Sequence, residues 1–307
     1  MTEENIDARC GFVAIVGRPN VGKSTLINYI VGQKVAIVSD IPQTTRFKIK
    51  GIFNDKRGQI IFLDTPGLHI GKDRLDKYMN VIAKHTINEV DLIIHLVDSS
   101  EPVKEEETMV VRFLEPIDKP IILGLNKIDL GGKFIPEYIK LYEKTKKKST
   151  EELADSITLL PLSSLKGTNV DKLLDEIFTK LPVGQALYPK DTIRDESQNL
   201  FIADVIREKL LGSMRQEIPH VIAVLVEEII WRSHNLVYIK ADILIERDPQ
   251  RKIVVGKNGQ VLKNIGTQAR KELEEYLSKK VYLDLVVKTK EKWRQDPRIL
   301  KELGYSP

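Results

Sequence analysis

The first 180 residues alternate short apolar runs with segments of helical spacing. The apolar runs have the length of buried strands and cover residues 12–16, 59–63, 92–97, 121–125 and 157–160. Residues 24–30, directly after the first run, have the spacing of a helix. Because strands that alternate with helices build a parallel sheet with helices on both faces, this pattern predicts an α/β domain whose sheet is mostly parallel.

The last third of the chain has a different order of elements. Residues 201–214 have helical spacing, two β-rich runs follow at 221–230 and 236–245, and a last strand covers 281–287. A helical face lies before that strand and consists of Val261, Leu262, Ile265, Ala269, Leu273, Tyr276 and Leu277. The order predicts an α+β domain.

Proline and glycine punctuate the chain between these two regions. Pro182, Gly184 and Pro189 fall within ten residues, which is typical of a linker. We therefore predict a first domain over residues 1–181, a linker over 182–200 and a second domain with a C-terminal tail over 201–307. A length of 307 residues fits two domains.

Composition and charge narrow the class of protein. The single cysteine, Cys10, excludes an intramolecular disulfide and fits a reducing compartment. The polar N-terminus does not resemble a signal peptide, and no apolar run approaches the ~18 residues of a membrane span. Residues 249–298 hold 13 Lys and Arg against 6 Asp and Glu, a net charge of +7. This local excess favours a polyanionic partner.

A phosphate-binding motif, G-x-x-x-x-G-K-S, follows the first predicted strand and opens the predicted helix. Its glycines allow backbone N–H groups to face phosphate oxygens, with the positive end of a helix dipole behind them. The lysine adds a charge for the β- and γ-phosphates, and the serine hydroxyl is placed to ligate Mg²⁺. The predicted nucleotide contacts here are Gly17, Arg18, Pro19, Asn20, Val21, Gly22, Lys23, Ser24 and Thr25.

A second motif, N-K-x-D, identifies the base. Asp129 can accept hydrogen bonds from N1 and N2 of guanine, whereas adenine lacks these donors and would leave the carboxylate unpaired. The stem of Lys127 can lie over the ring, and Asn126 is expected to tie this loop to the phosphate loop. Ser163, Ser164 and Leu165 are similar to a further guanine-contacting loop, usually S-A-x, with Ser164 in place of the alanine. GTP is therefore the predicted ligand.

Between these motifs lie the expected metal and γ-phosphate contacts. Asp64, Thr65, Pro66, Gly67 and Leu68 follow the second strand; Asp64 suits a water-mediated Mg²⁺ contact, and the Gly67 N–H suits the γ-phosphate. One threonine of Gln43-Thr44-Thr45-Arg46 should complete the metal shell, and we choose Thr45 while Thr44 stays open. The predicted metal set is Ser24, Thr45 and Asp64, and the predicted catalytic set is Lys23, Thr45 and Gly67.

Hydrolysis of GTP is expected to be slow without help. Many GTPases orient the attacking water with a glutamine where this chain has Leu68, which cannot hydrogen-bond, and the neighbouring His69 is equally well explained as a solvated loop residue. We therefore predict stimulation by a partner or an ion. In related GTPases an asparagine in the phosphate loop helps to hold K⁺, so Asn20 is the candidate for a K⁺ site.

A G-x-x-G motif lies between the two middle helices of the second domain. With the order α-β-β-α-α-β it looks like a type II KH domain, in which such a loop clamps about four nucleotides of single-stranded RNA. Gly256, Lys257, Asn258 and Gly259 are the predicted RNA contacts, and Lys288, Lys290, Lys292 and Arg294 extend the basic surface. Trp293 either stacks on a base or anchors a helix to its own domain, and we prefer the anchor.

Together these motifs resemble the Era family of bacterial GTPases. The resemblance also rests on Pro42-Gln43-Thr44-Thr45-Arg46, Arg207-Glu208-Lys209, Glu217-Ile218-Pro219 and Glu246-Arg247-Asp248. It implies a GTPase switch that binds small-subunit ribosomal RNA near its 3′ end and assists assembly of the small ribosomal subunit. It also implies a cytoplasmic monomer that associates peripherally with the inner face of the membrane, with switch segments at 39–48 and 68–78.

The main alternative is a membrane-associated regulatory GTPase in which RNA is not the main partner. A septum or membrane-remodelling GTPase would end in an amphipathic or coiled-coil helix, whereas residues 201–298 predict strands. An enzyme that uses GTP for other chemistry would need a second set of nucleophilic or metal-binding residues, and the sequence shows none outside the GTP motifs.

Overall fold

A computed structural model describes residues 8–38, 49–64, 74–154, 156–195, 197–214 and 221–304. The chain divides into two compact units, the first built mainly from residues up to 195 and the second mainly from residue 196 onward. Among the described residues, no helix combines the length and apolar composition that crossing a bilayer requires.

The first unit contains a six-stranded sheet in the order β2-β3-β1-β4-β5-β6. Neighbouring strands are parallel except for β2, which pairs antiparallel with β3. The strands are β1 (Arg9–Val16), β2 (Ile49–Asp55), β3 (Gly58–Asp64), β4 (Leu92–Asp98), β5 (Ile121–Asn126) and β6 (Ile157–Pro161). The five predicted strands are present and the mostly parallel sheet is confirmed.

Helices cover both faces of this sheet. Successive residues of β1 enter opposite cores because side chains alternate along a strand: Val13 and Ile15 pack with one set of helices, whereas Ala14 and Val16 pack with the other. The helices are α1 (Lys23–Val31), α2 (Arg74–Glu89), α3 (Glu105–Leu114), α4 (Ile135–Lys146), α5 (Thr150–Ala154) and α6 (Val170–Lys180).

Residues 182–195, which the sequence assigns to the linker, lie on the sheet of the first unit. The Cys10 N–H donates to the Pro182 carbonyl at 3.1 Å, and the Ile52 N–H donates to the Ile193 carbonyl at 2.9 Å. The buried Gln59 side chain accepts from the Tyr188 N–H at 3.0 Å. These contacts join residues far apart in sequence, so composition alone does not reveal them.

The second unit is a three-stranded sheet backed by helices, in the order β7-β8-β9. Strands β7 and β8 are antiparallel, and β8 and β9 are parallel. Its elements are α7 (Gln198–Ser213), β7 (Ala223–Ser233), β8 (Leu236–Ile245), α8 (Asp248–Val255), α9 (Gln260–Leu277), β9 (Lys280–Thr289) and α10 (Pro297–Glu302). The predicted α-β-β-α-α-β order is confirmed, with G-x-x-G between α8 and α9.

Trp293 belongs to the core of this second unit. Its side chain is 0% exposed, and its indole N–H donates to the Val221 carbonyl at 2.8 Å. The indole therefore anchors the segment after β9 to the start of β7, and the preferred prediction is confirmed. Arg294 and Lys288 are also engaged, since Arg294 pairs with Glu246 and Lys288 with Asp242.

Candidate nucleotide and nucleic-acid sites

The phosphate loop connects β1 to α1, and its backbone needs glycine at both ends. Gly17 and Gly22 have φ angles of 152° and 102°, and Asn20 has a φ of 64°. A Cβ at Gly17 would collide with the Leu96 carbonyl, and one at Gly22 with the Asn126 amide. Gly22 is also the N-cap of α1, so the first N–H groups of that helix lie at the loop. This geometry suits an anion.

Lys23 is buried beside this loop. Its ammonium donates to the Gly17 carbonyl at 3.1 Å and to the Arg18 carbonyl at 2.9 Å. Burial lowers the pKa of Lys23 to about 8, against the raising effect of the Asp64 carboxylate. The loop therefore holds one positive charge in a poorly solvated position, where its attraction for phosphate is strong.

Ser24 and Asp64 meet at the end of the sheet. The Ser24 hydroxyl donates to Asp64 Oδ2 at 2.7 Å, and Asp64 is buried at the end of β3. A hydroxyl and a carboxylate are oxygen ligands of the type that Mg²⁺ accepts, and Mg²⁺ usually keeps several waters. In the described ranges no three His, Cys, Asp or Glu residues group as a metal ion would require. Ser24 and Asp64 are thus the two members of the predicted metal set that the structure describes.

Several predicted residues lie outside the described residues. Thr45 and Thr44 belong to this group, as do Thr65, Pro66, Gly67 and Leu68. The first predicted switch segment, 39–48, lies there entirely, whereas the second, 68–78, enters α2 at Arg74. The roles of these residues stay predictions.

Asn126 joins three loops. Its amide nitrogen donates to the Val21 carbonyl in the phosphate loop at 2.6 Å, and its Oδ1 accepts from the Ser164 N–H at 2.8 Å. Asn126 ends β5 and is buried, so these bonds are shielded from water. The expected tie to the phosphate loop is therefore present, and it extends to Ser164.

Asp129 lies in the short turn after Asn126, and one oxygen of its carboxylate is available to accept a hydrogen bond from a ligand. Its Oδ1 atom is buried and has no hydrogen-bond partner in the part of the chain that the structure describes. A buried carboxylate oxygen without a donor is costly, so a ligand that brings N–H groups is favoured there. The two N–H groups of guanine meet this requirement.

Lys127 is oriented by a residue that the sequence analysis did not single out. Its ammonium donates to Asp98 Oδ2 at 2.6 Å, and its φ of 64° is left-handed. Burial opposes ionisation of Asp98, but hydrogen bonds from Lys127 and Ser100 lower the pKa of this carboxyl below its ordinary value. Asp98 is the last residue of β4, which pairs with β5. Its position at the end of an apolar strand is the sequence feature that could have identified it as a site residue.

The loop after β6 completes this edge of the unit. Ser163 and Ser164 are buried; the Ser163 hydroxyl accepts from the Lys166 N–H at 3.1 Å, whereas the Ser164 hydroxyl has no hydrogen-bond partner among the described residues. Leu165 is 75% exposed. The structure thus brings residues 17–24, 126–129 and 163–164 together, as their places after parallel strands predict.

Arg18 uses its side chain in an unforeseen way. Its guanidinium donates to Glu107 Oε1 and to Glu101 Oε2, each at 2.5 Å, and Glu107 is completely buried in α3. Burial raises the pKa of Glu107 even beside this cation. The Arg18 side chain is therefore committed to carboxylates, and its predicted contact with phosphate concerns the backbone N–H.

The G-x-x-G loop of the second unit has the backbone of a close-approach turn. Gly256 has a φ of 75° and a Cβ there would collide with Val261; Gly259, with a φ of 73°, is the N-cap of α9. Lys257 and Asn258 are exposed. A groove of about 470 Å³ beside the loop is lined by Arg251, Lys252, Val255, Gly256 and Lys257. Three cations in this lining suit a phosphate backbone.

Comparisons with known proteins agree with both units. Residues 12–127 match the family model described as a 50S ribosome-binding GTPase, and residues 217–294 match that of the KH domain. GTPase Era of Halothermothrix orenii is 40% identical over 298 residues, 97% of this chain and 98% of the relative. GTPase Era of Heliobacterium modesticaldum is 43% identical over 302 residues, 97% of each chain.

Two solved structures are similar over nearly the whole chain. A variant of Aquifex aeolicus Era bound to GDP and AlF4⁻ has a TM-score of 0.89 at 40% identity and covers 97% of this chain and 100% of its own. Era in complex with MgGDPNP and nucleotides 1506–1542 of 16S ribosomal RNA has a TM-score of 0.90 at 38% identity, with 98% and 100% covered.

The fold and its two loops define a P-loop GTPase with a C-terminal KH domain. The first family model matches within the first unit, whereas the likeness to Era extends through the second. The chain belongs to the Era family of GTPases.

Asp129→Asn tests whether this carboxylate selects the base. An amide keeps the size of the side chain but can accept only one of guanine's two N–H groups and presents its own donor to the other, so we expect GDP affinity to fall by at least about 100-fold. Calorimetry with GDP and ADP measures this loss. Leu130→Ala, at an exposed neighbouring position, is the control and should bind GDP normally. Unchanged GDP affinity in the Asn variant would contradict the assignment.

Proposed function

We propose that this GTPase is a switch that binds small-subunit ribosomal RNA near its 3′ end and assists assembly of the small ribosomal subunit. The G-x-x-G geometry carries this proposal: a backbone with positive φ at both glycines, an exposed Lys257 and a cation-lined groove meet at one loop. The complex of Era with 16S ribosomal RNA supports the identity of the RNA, since that protein is similar over 98% of this chain.

We assign the nucleotide chemistry to the first unit, with GTP as substrate and Mg²⁺ as cofactor. Lys23 would neutralise the β- and γ-phosphates, Ser24 and Asp64 would hold the metal, and Asp129 would select guanine. Mg²⁺ supplies charge neutralisation on the phosphate oxygens. Thr45 and Gly67 are proposed as the remaining metal and γ-phosphate contacts.

The domain assignment and the cellular setting are also proposals. We assign 1–181 to the GTPase domain, 182–200 to the linker and 201–307 to the KH domain with its tail; the hydrogen bonds of 182–195 indicate that much of this linker is fixed to the first unit. We place the protein in the cytoplasm as a monomer, with peripheral contact at the inner face of the membrane. The alternative regulatory role without RNA would make the cation-lined groove beside Gly256 unnecessary.

Lys257→Glu tests the RNA-binding role with little risk to the fold. Gly256→Asp is less suitable, because its side chain would collide with Val261 and strain the loop. Lys257 is exposed and forms no ion pair within the described residues, so the substitution changes the charge without breaking a contact of the fold. Reversing this charge should lower RNA affinity by roughly 10-fold or more and reduce the dependence of that affinity on salt concentration, while GTPase activity is retained. Binding of 16S nucleotides 1506–1542 at several salt concentrations measures both. Lys301→Glu, exposed on α10, is the control; equal RNA affinity in both variants would refute the assignment.

Potassium dependence tests the hypothesis for Asn20. If K⁺ at this residue neutralises charge that develops during hydrolysis, GTPase turnover should be several-fold faster in KCl than in NaCl at equal ionic strength. Asn20→Gly, which removes the side chain and accepts the left-handed backbone of this position, should remove most of this difference while GDP binding persists. Equal rates in the two salts would count against a K⁺ site.

A further inference from the structure

The end of the KH sheet farthest from the G-x-x-G loop carries a group of exposed aromatic and cationic side chains. Trp231 and Tyr282 are 52% and 59% exposed. We call this group the hairpin-end surface and define it as Trp231, Arg232, Tyr238, Lys279, Lys280 and Tyr282. The family's RNA clamp, by contrast, lies at the other end of α9.

Cross-strand register places the aromatic rings side by side. Tyr238 of β8 pairs directly with Tyr282 of β9, and their rings stack with centroids 5.8 Å apart and an interplanar angle of 23°. The Arg232 guanidinium lies 4.4 Å from the centroid of the Tyr238 ring. A flat, half-exposed aromatic row with a cation beside it is the arrangement on which nucleic-acid bases stack.

Trp231 and Lys279 continue this surface around the end of the sheet. Trp231 pairs with Val237 across the hairpin, and side chains alternate along a strand, so Trp231 lies on the face of the sheet opposite Tyr238. The Lys279 ammonium lies 5.9 Å from the centroid of the Trp231 ring. Lys279 also donates to the His234 carbonyl at 2.7 Å, which holds the ammonium at this edge.

The charge of this surface favours an anion. Residues 229–241 and 276–283 contain Arg232, Lys240, Lys279 and Lys280 and no Asp or Glu. Carboxylates border these segments: Asp284 accepts from the Tyr238 hydroxyl at 3.0 Å, and Glu274 accepts from the Val281 N–H at 3.1 Å and lies 3.8 Å from Lys280. A further one, Glu228, pairs with Lys240 in the strand register and lies within electrostatic range of Tyr238. Bases stack on aromatic rings and phosphates pair with cations, so this combination suits single-stranded nucleic acid.

The position of this surface fits a longer RNA. Helix α9 begins at the G-x-x-G loop and ends just before Lys279, and its 18 residues span roughly 27 Å. At the ~3.4 Å axial spacing per nucleotide of a stacked duplex strand, that distance corresponds to about eight nucleotides, and an extended single strand spans it with fewer. Lys263, Arg270 and Lys271 are exposed along this helix. A strand clamped at the loop can follow α9 to its far end.

We propose that the hairpin-end surface is a second RNA-binding site, on which bases stack against Trp231 and Tyr282 while Lys279 and Arg232 contact phosphates. The site would take single-stranded RNA that extends beyond the G-x-x-G clamp. This inference rests on the proposed RNA-binding function, and it adds a length requirement: an RNA of about 15 nucleotides reaches both sites, whereas one of about five reaches only the clamp.

The test uses the full chain and two labelled RNAs, an unstructured one of about 15 nucleotides and the tightest-binding fragment of about five nucleotides cut from it. Tyr282→Ala and Trp231→Ala should each weaken binding of the longer RNA by roughly 5- to 100-fold and leave the shorter one unchanged. Tyr282→Trp should retain affinity, whereas Tyr282→Leu should not, because stacking requires a ring. Lys301→Ala is the control outside the surface.

Lys257→Glu separates this inference from the proposed function. It should weaken both RNAs, because both occupy the clamp. If Lys257→Glu weakens both RNAs but the Tyr282 and Trp231 variants bind the longer RNA normally, the hairpin-end surface is not an RNA site, whether it is bare or serves a protein. If neither RNA binds the unaltered protein, the proposed function fails and this inference with it.

Trp231 fluorescence provides a direct readout of contact. The chain has two tryptophans, and Trp293 is buried in the KH core. The longer RNA should quench the emission of the unaltered protein, the shorter one should not, and Trp231→Phe should abolish the response. Emission unaffected by the longer RNA at saturation would overturn the proposed stacking on Trp231.

Discussion

The side-chain amide of Asn126 joins three loops that the sequence separates widely. It donates to the Val21 carbonyl of the phosphate loop and accepts from the Ser164 N–H, and Gly22 packs so closely against it that a Cβ would collide. Because the amide is buried, both hydrogen bonds are shielded from water and are stronger than exposed ones, and losing either would leave a buried polar group unpaired. The proposed phosphate and base contacts therefore share one rigid frame, in which a shift of one loop moves the others.

Two buried cations, Lys23 and Arg18, fix the electrostatics and the position of the phosphate loop. The Lys23 ammonium donates to two carbonyls of the phosphate loop beside Asp64. The Arg18 side chain pairs with the buried Glu107 of α3 and so connects the phosphate loop to that helix. Breaking a buried ion pair by removing one partner costs about 3–5 kcal/mol of folding free energy. The contact between Arg18 and Glu107 therefore restricts the positions that the phosphate loop can adopt. Both cations are held in place by the fold itself, which reduces the reorganisation needed when a polyphosphate binds.

The sequence was sufficient where local pattern determines structure. Apolar runs and helical spacing predicted the parallel strands of the first unit and the α-β-β-α-α-β order of the second, and the N-K-x-D motif predicted that Asn126 would approach the phosphate loop. The burial of Trp293 also followed from a general preference. Local pattern did not reveal that Arg18 pairs with Glu107 or Lys127 with Asp98, because each pair joins residues on different elements.

The same limit applies to RNA recognition. The G-x-x-G motif is visible in the sequence because glycines mark a backbone requirement at fixed spacing. The hairpin-end surface is not visible, since Tyr238 and Tyr282 become neighbours only through the parallel pairing of β8 with β9. Sequence alone thus indicates where the nucleotide loops and the G-x-x-G turn lie, whereas surfaces made by strand register need the structure.

Nucleotide calorimetry on Asn126→Asp tests the central claim most directly. This substitution preserves the size and the Oδ1 acceptor but places a carboxylate oxygen against the Val21 carbonyl, so one bond is replaced by repulsion. The account predicts that GDP affinity falls by at least about 10-fold and that the preference for GDP over ADP falls with it, since one amide holds both loops. Unchanged GDP affinity with unchanged guanine preference would contradict the claim that Asn126 couples the phosphate and base sites.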